Sequence, residues 1–155
     1  MTKKTIAQSK TSISQLMLIH HANQAGNVHG GEIMKCMDNA AGVTAIKHAR
    51  SNVVTARVDE LQFHLPIYVG NLLICTAEIT FVGRSSMEIL VTVDVEDLIS
   101  EEQPRRALNA FFTMVALDEH GKPQEIPQLE LLDENEKKRF EEGKARYLDY
   151  KKISI

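Results

Sequence analysis

The period of the hydrophobic positions changes several times along the chain, and the changes mark its elements. Residues 12–20 read as a strand carrying Ile13 and the run Leu16 to Ile19. A loop of small and polar residues follows over 21–31, with the sequence HANQAGNVHGG. From 32 to 50 the apolar positions Ile33, Met34, Met37, Ala40, Ala41, Thr44 and Ala45 recur at helical spacing, and Asn52 ends the run. Four segments with period-two alternation come next, over 53–65, 72–82, 85–99 and 106–117. In the first of them the apolar phase slips near Asp59-Glu60, the mark a β-bulge leaves in a sequence. Pro66 and Gly70-Asn71 form the turn after it. The tail differs: a turn at 118–122, an extended stretch kept so by Pro123 and Pro127, then a charged helix over 133–150, weakly amphipathic through Phe140, Tyr147 and Leu148. Gly143 should weaken that helix by about 1 kcal/mol relative to alanine.

Long strands joined by short turns predict a strongly curved antiparallel sheet, and the single apolar helix is the natural cover for its concave face. The class is α+β. The 155 residues suffice for one domain of ordinary size. We expect residues 1–10 to be a disordered start, 11–127 the domain, and 128–155 a helical extension docked at the periphery.

Composition narrows the function. A formal net charge of −3 does not suggest a nucleic-acid partner. No apolar run is long enough to cross a membrane, and the first ten residues lack the apolar stretch of a signal peptide. Cys36 and Cys75, without a CxxC spacing, fit reduced thiols in a cytoplasmic protein. The histidines show no metal-ligand spacing, so no metal and no cofactor are expected. GxSxG, P-loop and GxGxxG motifs are absent.

The informative place is the loop–helix junction. Gly30-Gly31 opens the helix, where bare backbone N–H groups suit a carbonyl oxygen that becomes negative during acyl transfer; two glycines also make an ordinary tight turn. Asp38 is i+4 from Met34 and i−3 from Ala41, so it shares their apolar stripe, where a carboxylate is costly unless paired or used. The alternative is a slightly rotated helix with Asp38 at its watery edge. Asn23 in the loop holds a water, a carbonyl or a turn. His29 is a base, a loop-stabilising donor or neither. Gly83-Arg84-Ser85-Ser86 makes a turn that also suits a phosphate.

The run from Asn23 through Gly30-Gly31 to Asp38 and Gly42 resembles the acyl-CoA hydrolase branch of the hotdog-fold thioesterases. So do the segments 53–59, Phe63, Pro66, Val69-Gly70, 82–88, 115–118 and 121–123, together spanning about 14–127. The resemblance implies a hotdog fold, a long central helix wrapped by an antiparallel sheet. It also implies a homodimer with a continuous sheet, often a trimer of dimers (a hexamer), acting on acyl-coenzyme A. By the same resemblance Asp38 and Asn23 are the catalytic pair, drawn from opposite subunits, and the N–H groups near Gly31 polarise the thioester. The pantetheine arm is expected along Val54-Thr55, with Arg84 first, then Arg57 and Arg106, as phosphate anchors. Met37, Phe63 and Phe111 are expected around the acyl chain. The competing readings are a non-catalytic acyl-CoA sensor, a purely structural oligomeric domain, and a dehydratase, whose His-Phe-Pro-Gly signature is missing here.

Overall fold

Alternation of apolar and polar side chains makes five strands, and one run of helical period makes the element they enclose. In the computed structural model, which describes residues 1–153, the strands are β1 (Thr11–Leu16), β2 (Asn52–Asp59), β3 (Asn71–Val82), β4 (Ser86–Asp97) and β5 (Arg105–Leu117). They form one antiparallel sheet in the order β1-β3-β4-β5-β2, so β1 and β2 are its edges. Helix α1 (Gly30–Ala49) touches all five strands, and helix α2 (Glu134–Ile153) lies on the opposite face. The expected extension reaches to 155; its last two residues lie outside the described ones.

The core is the inner face of the sheet closed by α1. Leu73, Cys75, Ala77 and Ile79 of β3 meet Met87, Ile89, Val91 and Val93 of β4 and Leu108, Ala110, Phe112 and Met114 of β5. From α1 come Ile33, Cys36, Met37, Ala40, Ala41, Thr44, Ala45 and His48. Each large apolar side chain so buried contributes about 1.5–3 kcal/mol. The alanines let the helix axis approach the sheet closely, and Thr44 Oγ1 donates to the Ala77 carbonyl at 3.3 Å. The buried stripe is rotated relative to the expected one. It takes in Cys36 and His48, leaves Met34 half-buried and puts Asp38 outside. Arg50, with φ 54°, ends α1 in the left-handed conformation, its N–H donating to the Ile46 carbonyl at 2.7 Å.

Three expectations about elements need correction. The bulge in β2 falls at Ala56, between the pairs Thr55–Met114 and Arg57–Thr113, because the register shifts there. The strand then stops at Asp59, where Glu60 turns with φ 60°, and residues 61–65 run on outside the sheet. The start is docked rather than disordered. Ile6 is buried in the core, the Lys4 N–H donates to Gln128 at 3.1 Å, and Lys4 Nζ donates to the His48 carbonyl at 2.7 Å. A lysine-rich stretch conceals this anchor because one isoleucine sets no period.

The charged helix α2 is held by a buried acid. Glu88 is 3 % exposed on the outer face of β4. It accepts from Arg146 Nε at 2.9 Å, from Arg146 Nη2 at 2.7 Å and from Thr80 Oγ1 at 2.6 Å. Phe81 packs on Phe140 and Tyr147, with ring centroids 5.0 and 5.3 Å apart, while Leu148 stays exposed. Gly143 is where helix and sheet meet. A Cβ there would lie 2.7 Å from Phe81 Cβ and 2.9 Å from Glu88 Oε1. The expected gain in helix propensity from Gly143→Ala is therefore reversed. That variant should lower stability by about 1–3 kcal/mol in urea unfolding, since overpacking exceeds propensity.

His48 carries a second prediction. Its Nε2 lies 2.7 Å from the Pro127 carbonyl, and its buried Nδ1 has no partner among the described residues. Burial pulls its pKa below the ordinary 6.5, outweighing the bond to Pro127, and the nearby Lys4 lowers it further. A depressed imidazole pKa means that the unfolded chain binds the proton first. This contribution to stability is full above about 6.5 and is lost as the pH falls through it. The urea midpoint should fall between about pH 7.5 and about pH 5.5, and His48→Gln should flatten that fall.

Candidate active site

The loop before α1 is built by hydrogen bonds to one side chain. Asn23 Oδ1 accepts from the N–H groups of Ala25 and Asn27 at 3.0 and 3.2 Å, and the Asn23 N–H donates to the Asn27 carbonyl at 2.7 Å. The residue therefore makes the turn that the sequence allowed. Its amide nitrogen is left without a partner among the described residues, and the side chain is exposed. Gly26, with φ 91°, closes the turn.

His29 caps α1 through its backbone, its carbonyl accepting from Glu32 and Ile33 at 3.0 and 3.3 Å; its imidazole makes no cap bond. The N–H groups of Gly30 and Gly31 have no acceptor among the described residues and open on the helix's positive end. The two glycines differ in what they permit. A Cβ at Gly30 would meet the Phe63 ring at 3.3 Å, whereas one at Gly31 would meet open space. Beside Gly30 lies a cavity of about 390 Å³ lined by Val28, Ile33, Phe63, Leu65, Pro66 and Ile67 among others.

Asp38 is exposed, on the flank of α1 that faces the β2 edge. It lines a groove of about 360 Å³ with Gly42, Val43, Ile46, Val53, Thr55 and Met114. Thr55 Oγ1 donates to Asp38 Oδ1 at 2.6 Å, so one carboxylate oxygen is fixed and the other left for chemistry. This pairing was not in the sequence reading, which put Thr55 along a pantetheine arm. The pair is separated by 17 positions and only the fold brings it together. The walls of the groove are apolar and partly open, with Val43 40 % and Ile46 47 % exposed.

Of the remaining expected residues, Arg84 alone keeps a free cation. Its guanidinium has no ion pair among the described residues, at the tip of a turn closed by Gly83 N–H to Ser86 carbonyl at 2.8 Å and by Ala116 N–H to Ser85 carbonyl at 2.9 Å. Arg57 is engaged elsewhere, 2.6 Å from Asp59 and stacked 3.7 Å from the Tyr150 ring, whose hydroxyl is pushed up to about 12 by burial and Asp59. Arg106 pairs with Asp94 at 2.8 Å. Phe111 lies on the outer face beneath Arg146, at 3.9 Å, and so does not border an inner acyl site, while Met37 is sealed in the core. Among the described residues no three His, Cys, Asp or Glu side chains are grouped to hold a metal ion. Asn23 and Asp38 share neither a cavity nor a hydrogen bond within one chain.

Residues 25–100 match the thioesterase superfamily. The cytosolic acyl coenzyme A thioester hydrolase of Mus musculus is 45 % identical over 148 residues, covering 95 % of this chain. The chain spans only 39 % of that relative's length. The crystal structure of an apo-hexameric acyl-CoA thioesterase superposes with a TM-score of 0.91 at 36 % identity, covering 99 % of this chain and 97 % of that one. An acyl-CoA hydrolase from Staphylococcus aureus, solved with butyryl coenzyme A and coenzyme A, superposes at 0.82 with 32 % identity, covering 97 % of this chain and 96 % of that one. The same enzyme has been solved with an aspartate, an asparagine or a threonine changed to alanine, at positions spaced along its chain as Asp38, Asn23 and Thr55 are here. With identity of this extent over nearly the whole of a solved relative, on the same sheet and central helix, the chain belongs to the thioesterase superfamily.

Proposed function

We propose that this chain hydrolyses the thioester of an acyl-coenzyme A, releasing a carboxylic acid and coenzyme A. The observation that carries the reading is Asp38, held by Thr55 in an apolar groove at the open edge of the sheet. A carboxylate presented this way serves a reacting carbonyl; a binding module has no use for it. The acyl-CoA enzymes among the relatives support the substrate class.

The working unit in this reading is a homodimer. β2 is an edge strand with unpaired backbone groups; it carries the exposed Val54, and the exposed Val43 and Ile46 of α1 lie beside it. Pairing β2 with its symmetry mate extends the sheet across two subunits and covers this surface. Asn23 then reaches the groove of the other subunit, which fits its sharing neither a cavity nor a hydrogen bond with Asp38 within one chain. Three such dimers make the hexamer, and the enzyme works in the cytoplasm, as the name of the mouse relative says of that protein.

The acyl carbonyl sits against the free N–H groups of Gly30 and Gly31 of the partner subunit, which stabilise the oxyanion as it forms. In the hydrolytic route Asp38 takes a proton from water as the water oxygen attacks the carbonyl carbon. The tetrahedral intermediate collapses, the C–S bond breaks, and the coenzyme A thiolate leaves and takes up a proton. Asn23 of the partner subunit orients the water. In the covalent route an Asp38 oxygen attacks the carbonyl carbon, the C–S bond breaks as the coenzyme A thiolate leaves, and water then opens the resulting anhydride. The cavity beside Gly30 takes substrate close to the thioester, with Phe63 and Ile33 as its apolar wall. The pantetheine arm follows Val54-Thr55, and Arg84, with Ser85 and Ser86 in its turn, meets the phosphates. His29 stands at the mouth of the helix.

The test is thiol release from a series of short to long acyl-CoA esters. Wild type should turn over. Asp38→Ala should lose at least about a hundredfold, and Thr55→Val about tenfold in kcat, because the carboxylate loses its anchor. Unchanged release by a folded Asp38→Ala variant would remove Asp38 from the reaction.

A further inference from the structure

The chain has two cysteines, and the fold puts them in contact. Cys36 comes from α1 and Cys75 from the middle of β3, 39 positions away, and their sulfurs are 3.2 Å apart as free thiols. Both are buried, at 2 % and 0 % exposure. Cys75 donates its S–H to Cys36, which holds the Cys36 thiol below its ordinary range, while the same bond and burial push Cys75 up. The two sulfurs are thus unequal: Cys36 accepts the hydrogen bond and loses its proton more readily, Cys75 less so. The pair is not sealed off. Cys36 lines a polar depression of about 280 Å³ with Gln15, His20, His21 and Lys35, room for a small neutral oxidant. Asn39 borders both this depression and the groove of Asp38, so the two flank α1 on neighbouring sides.

We propose that Cys36 and Cys75 are a reversible dithiol–disulfide pair, oxidised by hydrogen peroxide or an alkyl hydroperoxide that enters at Cys36. The Cys36 thiolate attacks one peroxide oxygen and the O–O bond breaks. The departing hydroxide or alkoxide takes up the proton that Cys36 lost, leaving a sulfenic acid. Cys75 gives up its proton and its sulfur attacks the Cys36 sulfur. The S–O bond breaks and hydroxide leaves as water. With hydrogen peroxide, two thiols and one peroxide become one disulfide and two waters. The new bond ties α1 to β3 two positions from Asp38.

The experiment uses the wild-type chain, treated with hydrogen peroxide in modest excess and then mapped by peptide mass analysis. The account expects both thiols to disappear together, Cys36 to be recovered linked to Cys75 within one chain, dithiothreitol to restore both, and the oxidised form to unfold at higher urea than the reduced form. In Cys75→Ala a sulfenic acid should persist at Cys36 and be trapped by dimedone. Thiols that survive in the folded protein would overturn the proposal. So would a Cys36 carried to sulfinic acid beside an unreacted Cys75, or a link between chains.

Discussion

Everything in this molecule depends on how closely α1 approaches the sheet. Ala40, Ala41 and Ala45 are wholly buried, and their small side chains bring the helix backbone within reach of all five strands. That packing fixes the rotation of the helix. Once Met37 and Thr44 face inward, Asp38 and Ile46 are turned to the β2 side and Cys36 to the β1 and β3 side. The same contact sets the depth of the helix start, so that Gly30 abuts Phe63 and two N–H groups remain uncommitted. Site chemistry is thus a consequence of core packing, not an addition to it.

The outer face of the sheet is handled differently. A buried carboxylate, Glu88, is balanced by the fork of Arg146 and by Thr80, and α2 is ordered by that pairing together with the Phe81 cluster. Removing one partner of such a pair is far more costly than a surface ion pair is worth. By contrast, Lys137–Glu134 and Lys138–Glu142 on the exposed side of α2 contribute little.

Much of this was legible in the sequence, for a physical reason: periods of two and of 3.6 residues survive wherever one face is buried. The strand pattern, the central helix and the tail helix followed from it. Asp38 was singled out on the wrong argument. Periodicity gives relative angles around a helix, and a rotation too small to disturb the apolar count moved Asp38 from the buried stripe to the groove edge. The partnership of Asp38 with Thr55 was hidden because it joins two elements. Arg57 and Arg106 stood next to Arg84 as anchors, since whether a cation is already paired is decided by tertiary neighbours. Phe111 failed on parity: it alternates with Phe112, and only the latter faces the core. Gly143 read as a weak point in a helix and is instead its point of contact with the sheet.

The central claim is that one reaction centre is assembled from Asp38 of one subunit and Asn23 of another. It is tested most directly by denaturing and refolding equal amounts of two inactive variants, Asp38→Ala and Asn23→Ala, together. Random pairing makes half of the dimers mixed, each with one intact site of two, so the mixture should recover about a quarter of wild-type thiol release from acyl-CoA while neither variant refolded alone recovers any. A mixture that assembles but stays as inactive as its components would contradict the account.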